Sequence, residues 1–266
     1  MFTTIGFIGC GNMGGAMARA MRSAAPEVEL FFANRSPEKA QVLARETGGQ
    51  VQTNHWIAAN CSLVVLGVKP QMMAEVLADL APVLAQRSDR FVLLTMAAGL
   101  TMQTIGQMAG GPYPVARIMP NTPSAIGAGV VQLCSTGVTE EETEELKLLL
   151  SGAGLVDELD EGLIDAACAV SGCGPAFAYM FLDALAQGGV SCGLPRDKAL
   201  LYAAKMLEGA AKLAHQSERT PDELRQAVCS PGGATIQGVY ALERANFPDT
   251  VMDAVKAAYE RTLELK

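Results

Sequence analysis

Six short apolar runs punctuate the first part of the chain, at residues 4–8, 28–33, 63–68, 91–95, 115–118 and 130–133. Segments of helical periodicity lie between them, among them 14–23, 37–47 and 71–85. A strand buried on both faces carries a continuous apolar run, and helices between such strands imply parallel βαβ units. The pattern predicts an α/β fold with a doubly wound sheet. Thr139-Glu140-Glu141-Glu142 reads as a capping box, its acidic first turn matched to the positive end of a helix. Residues 155–159 fit one last strand.

The texture changes near residue 160. Apolar positions now recur at helical spacing, as in Ala176, Tyr179, Met180 and Ala184, then Leu200, Ala203, Ala204 and Leu207. No strand alternation follows. Pro195, Pro221, Pro231 and Pro248 fall near helix starts, where a missing N–H costs nothing. Two domains are expected, a sheet domain over 1–160 and an all-helical domain over 161–266. The later helices are apolar on more than one face and must be buried in something. A second copy of the chain is the expected cover.

Composition narrows the function classes. Hydrophobic residues make up 50% of the 266 positions and charged residues 18%, which excludes a disordered chain. The net charge is −8 and no Lys/Arg cluster exists, so nucleic acid is not an expected partner. Seven scattered cysteines without a CxxC pair argue against a zinc site or a disulfide framework and suit a reducing compartment. No basic n-region opens the chain and no uninterrupted run of 18 apolar residues occurs, so neither a signal peptide nor a membrane span is expected, and the expected location is cytoplasmic. No metal is expected. An acidic chain that binds an anion must do so locally, with backbone amides and few cations.

Such a place stands at the start. Gly9-Cys10-Gly11-Asn12-Met13-Gly14 has the form GxGxxG, directly after the first strand and opening a helix, the context of a dinucleotide fingerprint. Gly9 allows the tight turn, Gly11 lets backbone approach a pyrophosphate, and Gly14 allows close helix–strand packing. The second strand ends at Asn34-Arg35-Ser36. A cofactor lacking the 2′-phosphate usually meets a carboxylate there. Arg35 and Ser36 instead suit a phosphate dianion, which predicts NADPH.

Further motifs run through the chain. They are FIGCGNMGGAMA at residues 7–18, Val68-Lys69-Pro70, Ala97-Ala98-Gly99, Met119-Pro120-Asn121-Thr122-Pro123, and Val170-Ser171-Gly172-Cys173-Gly174-Pro175-Ala176. The most specific is Ser230-Pro231-Gly232-Gly233-Ala234-Thr235, followed by Ile236 and later by Ala241-Leu242-Glu243. With these motifs the chain resembles the pyrroline-5-carboxylate reductase family almost end to end. The resemblance implies an N-terminal Rossmann domain, a helical dimerisation domain, and reduction of 1-pyrroline-5-carboxylate to L-proline by NADPH, with NADH also accepted. It implies a homodimer and leaves open a decamer built from it.

The resemblance also implies a site. Cofactor contacts fall on Ile8, Gly9, Cys10, Gly11, Asn12, Met13, Gly14, Asn34, Arg35, Ser36, Asn54, Val68, Lys69, Pro70, Ala97, Ala98 and Asn121. Substrate contacts fall on Glu161, Ser171, Gly172, Gly232, Gly233, Ala234 and Thr235, with Glu218 as proton relay or loop orienter. Chemistry supports part of this independently. Amides at Gly232 and Gly233 before a helix suit a substrate carboxylate. The Thr235 hydroxyl is a poor acid but a suitable orienter of a ring nitrogen. Cys173 stands where the family commonly has Ser, and Ala227 where some members carry a polar cofactor contact.

Three rival readings share parts of this pattern. A β-hydroxyacid dehydrogenase needs a Lys early in the long helix, yet no Lys or Arg occurs between residue 174 and Arg196. A related imine or ketone reductase would share the scaffold. A non-catalytic NADP(H)-binding module would have no use for residues 230–235 or 171–176.

Overall fold

A computed structural model describes residues 2–264. Contacts divide them into two units: residues 2–173 with 258–264, and residues 174–257.

The first unit holds one eight-stranded sheet. Its strands are β1 (Thr4–Ile8), β2 (Glu29–Ala33), β3 (Gln50–Val51), β4 (Leu63–Leu66), β5 (Val92–Thr95), β6 (Val115–Pro120), β7 (Gly129–Thr136) and β8 (Gly154–Glu158), in the order β3-β2-β1-β4-β5-β6-β7-β8. Helices α1 (Asn12–Ala24), α2 (Pro37–Thr47), α3 (Asn54–Asn60), α4 (Pro70–Leu84), α5 (Met102–Ala109), α6 (Glu140–Leu150) and α7 (Glu161–Ala167) intervene. Successive side chains on a strand point to opposite faces. Phe7, Phe32, Val65 and Leu94 therefore enter one core with Met17 and Met21 of α1 and Leu149 of α6. Ile8, Phe31, Leu66 and Leu93 enter the other with Ile57, Met73, Leu77 and Ile105. Both faces are covered, which is why the strands carry unbroken apolar runs.

The six expected strands and the late strand are present, and so is the capping box: Thr139 Oγ1 accepts from Glu142 N at 3.2 Å while a Glu142 carboxylate oxygen accepts from Thr139 N at 2.8 Å. Two features go beyond the pattern of apolar runs. β3 is a two-residue strand too short to leave a pattern. β7 runs antiparallel to β6. Only residues 121–128 join them, partly as a 3-10 turn (Thr122–Ile126), and a parallel crossover needs a dozen residues or more.

The contact division falls at 173/174 rather than at the change of texture near 160. Ile164 and Asp165 of α7 are buried, Ile164 in the second sheet core, so this stretch belongs with the sheet. A π-helical segment (Cys168–Gly172) follows α7, its register marked by Cys173 N donating to the Cys168 carbonyl at 3.0 Å.

The second unit is helical: α8 (Gly174–Ser191), α9 (Arg196–Gln216), α10 (Pro221–Ala227), α11 (Ala234–Arg244) and α12 (Phe247–Leu263), the last reaching into residues grouped with the sheet. α8 and α9 pack through small residues, with Ala186, Ala199 and Ala203 buried. Phe181 and Phe247 meet with ring centroids 5.7 Å apart. Large apolar side chains remain uncovered in the single chain, including Tyr179, Leu201, Tyr202 and Leu213, with Met180 74% exposed. The helical run Glu161–Ser191 is long and apolar enough by composition to cross a membrane, although no 18 of its residues are continuously apolar.

Candidate active site

The sheet order reverses between β1 and β4, and ligands of such sheets bind beyond the carboxyl ends of the strands at that point. Glycine is required there on both strands. Gly9 has φ +104°, and a Cβ on it would lie 2.6 Å from the Gly67 backbone. A Cβ on Gly67 would lie 2.4 Å from the Gly9 carbonyl, and one on Gly14 would lie 2.5 Å from the same oxygen. Gly11 differs, because its Cβ would meet nothing within 4 Å. It faces open space at the N-terminus of α1, where no side chain caps the helix and no acidic residue stands in the first turn. Uncapped amides beside open space are what a pyrophosphate requires. The Cys10 thiol lies in this turn, but burial pushes it up to about 11, so it adds no negative charge.

Asn34 supports the turn from β2. Its Oδ1 accepts from Cys10 N at 2.9 Å and its Nδ2 donates to the Ser36 carbonyl at 2.9 Å. Ser36 is the N-cap of α2 yet makes no side-chain capping bond, and Arg35 is exposed. A hydroxyl and a guanidinium thus stand unspent at the β2 tip. Asn54 opens α3 and is half-buried, while Trp56 packs against Phe31 at 4.5 Å. Val68, Lys69 and Pro70 follow β4, with Lys69 exposed as the N-cap of α4. Ala97 and Ala98 follow β5, where Ala97 N donates to Thr95 Oγ1 at 3.3 Å.

At β6 a buried charge cluster appears that sequence reasoning missed. Arg117 is 1% exposed, and its guanidinium reaches Asp165 at 3.0 Å and Glu161 at 3.4 Å. Glu161 Oε1 also accepts from Met102 N, the first amide of α5, at 2.7 Å. Glu161 therefore ties α5 and β6 to α7, with one oxygen spent on the protein. The signal in the sequence was a lone Arg inside the apolar run Val115–Pro120, since a buried guanidinium demands carboxylates.

Asn121 and Gln132 likewise meet Ser171. Asn121 Nδ2 donates to the Ser171 carbonyl at 2.9 Å, and Gln132 Nε2 donates to Ser171 Oγ at 2.8 Å. Gln132 was also missed, although it is the polar break in an apolar strand. Gly172 is held against Cys168, whose Sγ would lie 2.8 Å from any added Cβ. Burial pushes the Cys168 thiol up to about 11, the wrong direction for a nucleophile.

In the helical unit, Gly232 has φ +70° and Gly233 is the N-cap of α11, with no side-chain cap. Ala234 and Thr235 form the exposed first turn. Among the described residues no hydrogen bond engages the Thr235 hydroxyl, so it is not consumed in satisfying the helix start. Glu218 lies exposed between α9 and α10. The structure thus gathers the predicted residues into two sets, one along the strand tips with Ser171 and Gly172, the other in the α9–α10 and α10–α11 connections. Among the described residues no three His, Cys, Asp or Glu side chains gather as a metal site would require.

A doubly wound sheet with an amide-lined turn at its switch point defines a dinucleotide-dependent oxidoreductase. Comparison with known proteins gives the family. A model described as pyrroline-5-carboxylate reductase dimerisation matches residues 161–265, and one described as NADP oxidoreductase, coenzyme F420-dependent, matches 4–99. The pyrroline-5-carboxylate reductase of Pisum sativum is 37% identical over 98% of this chain and 96% of its own length. That of Synechocystis is 36% identical over 100% and 99%. The solved pyrroline carboxylate reductase of Plasmodium falciparum, with NADP bound, superposes with a TM-score of 0.88 at 30% identity, covering 99% of this chain and 98% of the other. The Coxiella burnetii enzyme superposes with a TM-score of 0.90 at 30% identity, covering 100% and 99%. This chain belongs to the pyrroline-5-carboxylate reductase family, NAD(P)H-dependent oxidoreductases that reduce 1-pyrroline-5-carboxylate to L-proline.

Proposed function

We propose that this chain reduces 1-pyrroline-5-carboxylate with NADPH as the preferred cofactor and NADH as a weaker one, working as a homodimer in the cytoplasm. The unspent Ser36 hydroxyl and exposed Arg35 at the β2 tip support the preference, because both suit a 2′-phosphate and no carboxylate replaces them. The uncovered apolar side chains of α8 and α9 support self-association. Seven unpaired thiols support a reducing compartment.

When bound, the dihydronicotinamide supplies the hydride, which goes to the carbon of the cyclic C=N. The rest falls to the protein. Amides at Ala234 and Thr235, at the start of α11, hold the substrate carboxylate, while the Gly233 amide closes the turn by donating to the Ser230 carbonyl at 3.0 Å. The Thr235 hydroxyl orients the ring nitrogen, which carries its proton before or during transfer. Ser171 and Gly172 wall the ring, and the Gly9–Gly14 turn with Val68–Pro70 and Ala97–Ala98 fixes the cofactor.

The observation that carries this reading is the free Thr235 hydroxyl in an uncapped glycine turn. Thr235→Ala is expected to lower kcat/KM for 1-pyrroline-5-carboxylate by roughly 10²-fold, with KM for NADPH and Tm unchanged. Full retained kcat/KM overturns the assignment.

A further inference from the structure

Two neighbouring strands reach for one residue. Asn121, just past β6, donates to the Ser171 carbonyl and accepts from Val130 N at 3.0 Å. Gln132 of β7, opposite Met119 in the ladder, donates to Ser171 Oγ. Ser171 Oγ in turn donates to the Ala167 carbonyl at 2.9 Å. The bond to the carbonyl has a local cause. In a regular helix the Ser171 carbonyl would accept from residue 175, which is Pro175 and has no N–H. The Asn121 amide replaces that donor from the sheet.

Gln132 is harder to explain by stability. It is 4% exposed, yet its Oε1 has no partner among the described residues. An unpaired buried oxygen destabilises a fold, and an apolar side chain of the same shape would avoid that cost. Its satisfied end points at the one hydroxyl of a π-helical segment, a feature frequent at functional sites. A residue that breaks a packing rule at such a place fits a positioning task better than a structural one.

We propose that Gln132 and Asn121 are positioning residues that hold the substrate-side turn Ser171–Gly172 in register, Gln132 through the Ser171 hydroxyl and Asn121 through the Ser171 carbonyl. The proposal rests on the reading that places this turn beside the substrate. Holding one residue by both its carbonyl and its hydroxyl fixes the peptide that follows, and Gly172 has no room to shift toward Cys168. Displacement of the turn would misplace the ring relative to the hydride path, where small errors are costly.

The test is a double-mutant cycle on the full-length enzyme with purified 1-pyrroline-5-carboxylate and NADPH. Gln132→Met removes both the bond and the orphaned oxygen. It is expected to keep or raise Tm while lowering kcat/KM for the substrate roughly tenfold, with KM for NADPH held within about twofold. Ser171→Ala, which leaves the Asn121 bond to the carbonyl intact, is expected to show a similar loss and reports on the same hydroxyl if the strand variant folds poorly. Adding Gln132→Met to Ser171→Ala is expected to cost under about twofold more. Wild-type kcat/KM in Gln132→Met, an equal loss in both backgrounds, or a loss that only accompanies a fall in Tm each overturns the proposal. Thr235→Ala separates it from the reading beneath. If that variant is fully active, the substrate site is misplaced. If it is impaired beside an unimpaired Gln132→Met, the strand clamp alone fails.

Discussion

The sheet unit and the helical unit use apolar residues in opposite ways. In the sheet unit the side chains of Phe7, Phe32, Leu66 and Leu94 are fully enclosed, the central strands lying between helices of the same chain. In the helical unit Tyr179, Met180, Leu201 and Tyr202 face outward, and the buried members are mostly alanines. The first unit completes its own core. The second leaves apolar area uncovered in the single chain, within the residues that the family's dimerisation model matches. If a second copy covers that area as proposed, stability of the first is expected to be a property of one chain and stability of the second to rise with chain concentration.

The largest expected effect breaks the self-sufficient side. Gly9→Ala combines a φ of +104° with a backbone contact of 2.6 Å, so the turn must deform. A loss of about 3 kcal/mol or more is expected, together with NADPH binding. Thermal melts should show the same drop at every protein concentration. A concentration-dependent drop would contradict the comparison.

Met180→Asp strikes the other side. Placing a carboxylate in an apolar contact costs about 2 kcal/mol or more per copy. Sedimentation should show a shift toward monomer, with activity recovering as protein concentration rises. An unchanged mass at low concentration would mean that this face of α8 is not the contact.

Arg35→Ala with Ser36→Ala sharpens the account of how an acidic chain holds an anion. Loss of the forked cation and hydroxyl should raise KM for NADPH about tenfold, leave KM for NADH within about twofold, and spare Tm. Equal effects on both cofactors would move the 2′-phosphate elsewhere.

The smallest effect concerns acid. The hydrogen bond from Arg90 holds the Glu142 carboxyl below its ordinary value of 4.5, against the opposing push of burial, and the Thr139 amide adds a smaller downward pull. A depressed carboxylate adds stability above its unfolded pKa and loses it as pH falls through the folded one. Arg90 is half exposed, so solvent screening leaves about 0.5 kcal/mol. The Tm gap between wild type and Glu142→Gln should be present at pH 7 and close below the ordinary carboxylate range. A gap that widens in acid would reverse the sign.

Much of the scaffold was legible because its signals are local. The GxGxxG turn needs glycine for reasons confined to a few backbone atoms. The cap at Thr139 sits three residues from the glutamate it exchanges bonds with. Other readings needed the third dimension. Asn34 and Asn121 were read as cofactor contacts, yet both ends of each carboxamide already bind the protein. Glu161 reads as a substrate contact, and the structure adds that its Oε1 joins α5 to β6. Each has the residue type a ligand would want, and only the neighbours brought by folding show where its hydrogen bonds go.

By itself the sequence determined the alternation of strands and helices, the amide-lined turn at the first helix, the absence of a carboxylate at the β2 tip, and the change from strands to helices in the last part of the chain. These follow from side-chain period and backbone sterics over a few residues. The direction of β7, the Arg117–Glu161–Asp165 cluster and the grip of Gln132 on Ser171 were decided only by the tertiary structure. Their partners lie 39 to 59 residues apart where hydrogen bonds join them across elements, and no local period records which distant polar groups will share a dry interior.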